Sequence, residues 1–511
     1  MCQIIKVCQQ FPVWRNDASK SATKAQKHQI RTKFLRDFVV WCFRGNPKRE
    51  LLKVRRSQVA SENRASGFEN RLLINKKQNI LKILKILPNF GPTNQIFRMK
   101  RYLFLFLLSL FCQAAGAQTN RPEHYARPYV ILISCDGLRY DYVERFRPPH
   151  LLRFIEEGAQ AASMISSYPA KTFPNHYTIA TGLYPENHGL VDNTFYDPER
   201  GELYRTSNRE AVEDGTWYKG TPLWVNAEQN GMVAASYFFV GSEADIQGVR
   251  PSHYFNYEGS TPNEVRIQQA LDWLALPEAR RPHLITLYFS DMDDAGHRYG
   301  PSDDEHIGAA LLELDKALGL LFEGIKATGL PVNTIIVSDH GMIDVTPDKL
   351  INIDPLEQEG QYRIANNGAL AHVYLEKGAS HQAAYQFLKS KEDRFRVYAI
   401  EDFPFYRSCQ KNPRLGDFIV LPGYGYYLSD SRRIAQVRQG NFTQGGEHGF
   451  NPEFPEMHAV FYANGPAIRK GMKIPSFRNI HVYPMVCRIL GLPIPEGIDG
   501  RVEVLEGILA K

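Results

Sequence analysis

Cysteine is scarce where a cross-linked fold would need it. Of seven cysteines in 511 residues, Cys2, Cys8, Cys42 and Cys112 precede position 118, leaving Cys135, Cys409 and Cys487 for the rest. Three residues so far apart make no disulfide framework, so the fold must rest on a hydrophobic core. Cys135 ends an apolar run and reads as a small core residue rather than a nucleophile. Acidic residues are equally scarce at the start: in residues 1–98, 21 Lys and Arg stand against 5 Asp and Glu, a surplus of 16. Because the whole chain carries only +6, residues 99–511 carry −10. Outside the N-terminal stretch there is no basic excess to track a nucleic-acid backbone, and no stable nucleic-acid partner is expected. A membrane-length apolar run is missing too. The Leu- and Phe-rich stretch Tyr102–Cys112 covers 11 residues, against roughly 20 for a spanning helix.

What is present is a chain 43% apolar, enough for one elaborate catalytic domain or two lobes. Residues 1–98 have the composition of a basic tail or amphipathic arm. Met99-Lys100-Arg101, the short apolar run and Ala115-Gly116-Ala117 then follow in the order of a secretory signal peptide. Such a signal belongs at an N-terminus. Met99 is therefore expected to be the true start, with 1–98 a non-native upstream extension, 99–117 the signal and 118–511 the catalytic domain. The mature protein is then periplasmic or secreted, without a permanent membrane span. A membrane anchor behind a cytoplasmic arm is the alternative. Cys112 lacks the small following residue of a lipobox. Asn441-Phe442-Thr443 fits a glycosylation sequon, but this leader and the few cysteines read as bacterial, which makes the match fortuitous.

The mature part repeats one grammar: a short apolar run, then an acidic residue. Pro128–Ser134 leads to Asp136-Gly137, Leu284–Phe289 to Asp293 and His297, and Asn333–Ser338 to Asp339-His340-Gly341. Continuous apolar runs of this length predict buried parallel strands. Between the last two runs, Ile307, Leu311, Leu314, Leu318, Leu321 and Phe322 predict a crossover helix, so the fold class is α/β with a mostly parallel sheet. Gly416–Leu421 and Met457–Ala463 predict further strands. An open α/β sheet places its site at the carboxyl ends of its strands, where these acids fall.

Asp136, Asp293, Asp339, His297, His340 and His448, the last in Gly446-Glu447-His448-Gly449, make three carboxylates and three imidazoles. Mixed Asp and His ligation suits zinc, and six ligands divide into two sites of three. Two such ions can clamp the attacking and leaving oxygens of an in-line displacement. Thr172, in Lys171-Thr172-Phe173-Pro174-Asn175-His176, has N-cap character at the head of a helix running through Tyr177, Ile179 and Ala180 and stopped by Gly182. A hydroxyl there lies beside free backbone donors that also hold anions, which makes it the candidate nucleophile. Capping alone is the competing explanation.

Six ordered blocks carry a family resemblance over Pro128 to about Leu505: Ser134–Gly137, Lys171–His176, Thr181–Gly189, Asp293–His297, Ser338–Met342 and Gly446–Gly449. In them the sequence resembles the ectonucleotide pyrophosphatase/phosphodiesterase family of the alkaline phosphatase superfamily. That resemblance implies an alkaline-phosphatase-like core and two Zn2+ per chain. One ion would be held by Asp136, Asp339, His340 and Thr172, the other by Asp293, His297 and His448. Asn193 matches the family's donor to a phosphoryl oxygen, although an Asx-turn would explain it equally. Phe173 and Tyr257 match a pair of rings that hold a nucleobase, with ordinary core packing as the alternative. Val240 stands where the family often has Pro, which bears on loop shape more than on chemistry. The implied activity is zinc-dependent hydrolysis of nucleotide phosphodiester and pyrophosphate bonds to nucleoside 5′-monophosphates through a phosphothreonine. Choline phosphodiesters or other phosphoesters and phosphonates are alternative substrates on the same frame. A zinc-stabilised binding protein without catalysis is the alternative of another class. Oligomeric state is not legible.

Overall fold

The protein is described by a computed structural model covering residues 118–407, 412–440 and 445–510. The expected leader and upstream extension, Cys409 and the Asn441-Phe442-Thr443 sequon lie outside the described residues. Eight strands form the central sheet: β1 (Tyr129–Cys135), β2 (Ala159–Ala161), β3 (Ala234–Tyr237), β4 (His253–Phe255), β5 (Leu284–Phe289), β6 (Val332–Val337), β7 (Phe461–Asn464) and β8 (Met472–Ile474). Their spatial order is β8-β2-β7-β6-β1-β5-β3-β4. β1 sits between β5 and β6, parallel to both, with Ile133 opposite Leu287 and Ile336. The three acid-bearing strands are thus adjacent, and their carboxyl ends point the same way.

Alternation along these strands explains their unbroken apolar character. Val130 and Leu132 of β1 enter one core, whereas Ile131, Ile133 and Cys135 enter the other, on the opposite face. Four helices matter for the site and its frame: α1 (Thr172–Thr181), α2 (Asp291–Tyr299), α3 (Asp304–Thr328) and α4 (Val482–Leu490). α3 is the predicted crossover helix. Asp303 caps it by accepting from the His306 N–H, and its Ile307, Leu311, Leu314, Leu318 and Leu321 stripe is fully buried on one face of the sheet. α1 and α4 cover the other face, through Tyr177, Ile179 and Ala180 and through Val482, Tyr483 and Met485. Each fully buried Val, Leu, Ile or Met among them contributes about 1.5–3 kcal/mol.

The expected strand Met457–Ala463 is shorter than the sequence suggests. Residues Pro455–Met457 form a 3-10 turn, Ala459 exchanges both backbone bonds with Met164 at 2.8 Å, and only Phe461–Asn464 joins the sheet. That strand runs antiparallel to both its neighbours, because the chain arrives there without a crossover helix. Gly416–Leu421 forms the strand Phe418–Pro422, part of a separate antiparallel sheet with Tyr362–Asn366, Ala371–Leu375 and Phe395–Ala399. Among the described residues, no helix is long and apolar enough to cross a membrane.

Candidate active site

The site begins where β1 stops. Asp136 follows the strand directly, and Gly137 turns with φ +69° so tightly that a Cβ there would lie 2.8 Å from the Asp293 Cα. This close approach brings the end of β1 onto α2, and the Gly137 N–H donates to Asp339 Oδ1 at 3.2 Å. Asp293 and His297 are four residues apart on α2, hence on one face, with His297 Nε2 3.4 Å from Asp293 Oδ1. Asp339 and His340 follow β6. His448 is delivered by the strand Gly445–Glu447, which pairs antiparallel with Ile343–Val345 just past Gly341. A side chain at Gly446 would collide with the Gly296 carbonyl at 2.3 Å, so glycine permits the contact that seats this arm on α2.

Thr172 is the first residue of α1, and Lys171 occupies the cap position without a side-chain cap bond. The expected N-cap is therefore displaced by one residue. The reason is that the threonine hydroxyl faces another element: its Oγ1 donates to His340 Nε2 at 3.3 Å instead of accepting from its own helix. Gly182 ends the helix in a left-handed conformation, φ 69°, as expected.

Ring orientation gives the site its chemical sense. His297 Nδ1 donates to the Gly446 carbonyl at 2.8 Å, His340 Nδ1 to Gly341 at 3.0 Å, and His448 Nδ1 to Ala170 at 2.9 Å. A carbonyl only accepts, so each ring carries its proton on Nδ1 and turns an Nε2 lone pair inward. This is the outer-shell arrangement that orients metal-bound imidazoles. Facing them are three buried carboxylate oxygens, Asp136 Oδ1, Asp293 Oδ1 and Asp339 Oδ2, with no hydrogen-bond partner. Lone pairs meeting lone pairs call for positive charge between them, and this donor set fits divalent metal.

Two groups of three have ligand atoms all within 4.8 Å of one another: Asp136, Asp339 and His340, and Asp293, His340 and His448. The first is the set expected for one ion. The second shares Asp293 and His448 with the set expected for the other, but His340 rather than His297 completes the close cluster. The His340 and His448 rings stack with centroids 3.6 Å apart, and His297 stands at the rim, 37% exposed.

Charge bears this out. Burial, then repulsion from Asp339 and Asp293, holds the Asp136 carboxyl well above the usual carboxylate range. Burial also raises Asp293. Burial would raise Asp339 as well, but positive charge on the adjoining His340 and His176 rings, where they take up protons, outweighs it and holds that group well below the range. Burial, then the His340 ring, pushes His448 well below the imidazole range, into the neutral ligand form. The cluster cannot keep all its negative charge unaided.

Asn193 lies against the head of α1, beside Thr172. Its Oδ1 accepts from the Phe173 N–H at 3.0 Å, which leaves the amide Nδ2 to donate elsewhere and goes beyond an Asx-turn. Phe173 is half-buried, edge-on to Tyr204 at 6.4 Å. Tyr257 is 42% exposed, so the core-packing alternative fails for it. Its ring lies edge-on to Tyr288 at 6.0 Å, and the Tyr288 hydroxyl donates to Asp136 Oδ2 at 2.7 Å. Sequence reasoning missed Tyr288, because within a strand it counts as one more apolar residue. It also gave no role to His176, whose Nε2 bonds Ser134 Oγ at 2.8 Å and whose Nδ1 reaches the Thr172 carbonyl at 2.9 Å.

A profile described as type I phosphodiesterase / nucleotide pyrophosphatase matches residues 130–451. A venom phosphodiesterase of Crotalus durissus collilineatus is 37% identical over 410 residues, covering 77% of this chain and 48% of the venom protein. Ectonucleotide pyrophosphatase/phosphodiesterase family member 3 of Rattus norvegicus is 34% identical over 395 residues, covering 75% of this chain and 44% of its own. An uncharacterized pyrophosphatase/phosphodiesterase of Schizosaccharomyces pombe is 32% identical over 409 residues, 76% of this chain and 84% of its own. Among solved structures, murine ectonucleotide pyrophosphatase / phosphodiesterase 5 superposes with a TM-score of 0.69 at 26% identity, covering 75% of this chain and all of its own. The chain therefore belongs to the type I phosphodiesterase / nucleotide pyrophosphatase family, with its alkaline-phosphatase-like fold. It spans about half the length of the venom and rat relatives.

Proposed function

We propose that the protein hydrolyses nucleotide phosphodiester and pyrophosphate bonds and releases nucleoside 5′-monophosphates, with two zinc ions and Thr172 as nucleophile. The observation that carries this reading is the convergence of inward Nε2 lone pairs and unpartnered carboxylate oxygens around a hydroxyl at a helix head. Relatives named as phosphodiesterases and nucleotide pyrophosphatases support the reaction class. Murine member 5 has also been solved as an inactive threonine-to-alanine variant in complex with AMP, which supports both the threonine and the nucleotide.

Asp136, Asp339 and His340 with Thr172 would hold one ion, and Asp293, His297 and His448 the other. Bound zinc would supply Lewis-acid activation of the hydroxyl and offset charge on the phosphoryl oxygens. Thr172 Oγ1 attacks phosphorus in line, and the bond to the departing alkoxide or phosphate breaks. Asn193 Nδ2 donates to a phosphoryl oxygen as charge grows there. Water then cleaves the phosphothreonine, restoring the hydroxyl and releasing the monophosphate. Phe173 and Tyr257 offer rings to the base, a contact worth about 1–3 kcal/mol.

The test is hydrolysis by the purified protein of a nitrophenyl ester of thymidine 5′-monophosphate, beside nitrophenyl phosphate and nitrophenyl phosphorylcholine, with and without chelator. Preference for the nucleotide ester that chelator abolishes and zinc restores is expected. A choline preference would retain the mechanism and remove the base slot, whereas no metal-dependent activity would leave a binding protein. The leader at 99–117 is the ground for proposing export. N-terminal sequencing that begins at Gln118 would support it, and retention of residues before Met99 would refute it.

A further inference from the structure

Asn193 can serve only if its amide is held still, and the chain holds it from the second sheet. Its own N–H donates to Asp192 Oδ1 at 2.7 Å, its carbonyl accepts from the Thr206 N–H at 3.1 Å, and its side-chain oxygen is taken by Phe173. Asp192 is fully buried, and its other oxygen faces His372 Nε2 at 3.2 Å. His372 is also fully buried, on the strand Ala371–Leu375, with Nδ1 3.0 Å from the Leu415 carbonyl. Both ring nitrogens thus face oxygens, and the ring joins the Asn193 loop to a strand 180 residues further along the chain.

Two more ties reach the same loop from turns next to that sheet. Asn367 bonds both backbone groups of Thr194, accepting from its N–H at 2.9 Å and donating to its carbonyl at 2.8 Å. Arg414, buried, binds Asp197 Oδ2 and the Gly189 carbonyl, each at 2.8 Å. Three polar clamps therefore flank Asn193 on both sides, each buried and each drawn from the segment that separates the third and fourth ligand blocks. Burying a carboxylate and an imidazole, together with Arg414, is costly unless they are fully bonded, so apolar packing would have been the simpler way to hold this loop.

We propose that the separate antiparallel sheet is a brace for the phosphoryl-oxygen donor, and that His372, through Asp192, is a positioning residue for Asn193. The inference rests on the nucleophile and donor roles proposed for Thr172 and Asn193. His372 does not touch substrate; it fixes the loop so that Asn193 Nδ2 meets the phosphoryl oxygen without reorganisation.

A kinetic cycle tests it, using the zinc-loaded protein and the nitrophenyl ester of thymidine 5′-monophosphate. Removing a preorganised donor costs about 10²–10³ in kcat, so Asn193→Ala should fall in that range. His372→Ala should lower kcat by about tenfold or more, with KM within about twofold and zinc content unchanged. The decisive reading is the double variant: with Asn193 already removed, His372→Ala should cost less than about twofold more. His372→Gln, which keeps a donor toward Asp192, should recover part of the loss and serves the same cycle if His372→Ala does not fold. Losses that multiply in the double variant, or a fall in thermal stability with kcat unchanged, would overturn the brace. Thr172→Ala, run alongside, separates the two readings: full activity there refutes the nucleophile, whatever the cycle shows.

Discussion

The two halves of the candidate ligand cluster are built differently. Asp136, Asp339 and His340 sit on the ends of adjacent parallel strands, with side chains no more than 1% exposed. Asp293, His297 and His448 come from a helix and from the end of a two-stranded arm, with Asp293 16% and His297 37% exposed. The inner half is fixed by the sheet itself, because β1 and β6 share a register and place their last residues side by side. The outer half depends on an arm meeting a helix 149 residues away, through the His297 bond to the Gly446 carbonyl. A buried set rich in carboxylate would retain an ion, and the set whose His297 and Asp293 reach solvent would be the side from which a leaving group departs. Thr172 points into the inner half.

The largest effect that would break this picture concerns the nucleophile. Thr172→Ala should lower kcat by at least about 10³-fold while metal analysis still finds about two zinc ions per chain; retained turnover would remove Thr172 from the chemistry. The inner and outer halves are then separated by removing one ligand from each. Asp339→Asn should abolish activity that added zinc does not restore, because the lost charge is buried. His297→Ala should weaken zinc by about 10–100-fold, judged from ligands and their outer-shell partners, and recover activity when zinc is raised. Equal behaviour of the two variants in a zinc titration would erase the distinction.

A smaller effect tests the exposed ring. Tyr257→Ala should raise KM for the nucleotide ester by about 5–100-fold, the equivalent of a lost stacking contact, and leave nitrophenyl phosphate hydrolysis unchanged. A parallel loss on both substrates would place Tyr257 in the frame through Tyr288 instead.

The smallest effect lies at His188, which packs against Pro174 and Thr178 of α1. His188 is fully buried, accepts from the Leu190 N–H on Nδ1 at 3.2 Å, and faces the Pro174 carbonyl with Nε2 at 3.1 Å. The backbone donor fixes the neutral tautomer, and burial lowers the imidazole to about 3. Below the unfolded imidazole value of about 6.5, the unfolded chain takes up a proton that the folded one refuses. Stability from this group is therefore present at neutral pH and lost as pH falls from about 6.5 toward about 3. Denaturant melts of His188→Gln against the parent should show a flatter acid limb across that window, and parallel curves would refute the assignment.

How much of this was legible in the sequence follows from the range of each interaction. The runs before Asp136, Asp293 and Asp339 announced buried strands, since a strand covered on both faces needs no polar alternation. The Ile307–Leu321 stripe predicted α3 by its period, and Gly182 marked the end of α1. The cap at Thr172 was misplaced by one residue, because a hydroxyl that finds a partner in another element no longer serves its own helix. Met457–Ala463 was read as one strand, because apolar pattern does not reveal that Ala459 pairs with Met164 before the sheet is reached.

The sequence by itself determined the residue types of the site, the strands that lead to Asp136, Asp293 and Asp339, the helix headed by Thr172, and the resemblance to the family, because these are set by local periodicity and by motifs a few residues long. Only the tertiary structure decided that three imidazoles share one tautomer, that His340 lies between the two carboxylate groups, that Tyr288 holds Asp136, and that His372 reaches Asp192. Each of those depends on a hydrogen bond between groups far apart in the chain, and no local pattern encodes which distant carbonyl or carboxylate a side chain will meet once the sheets have packed.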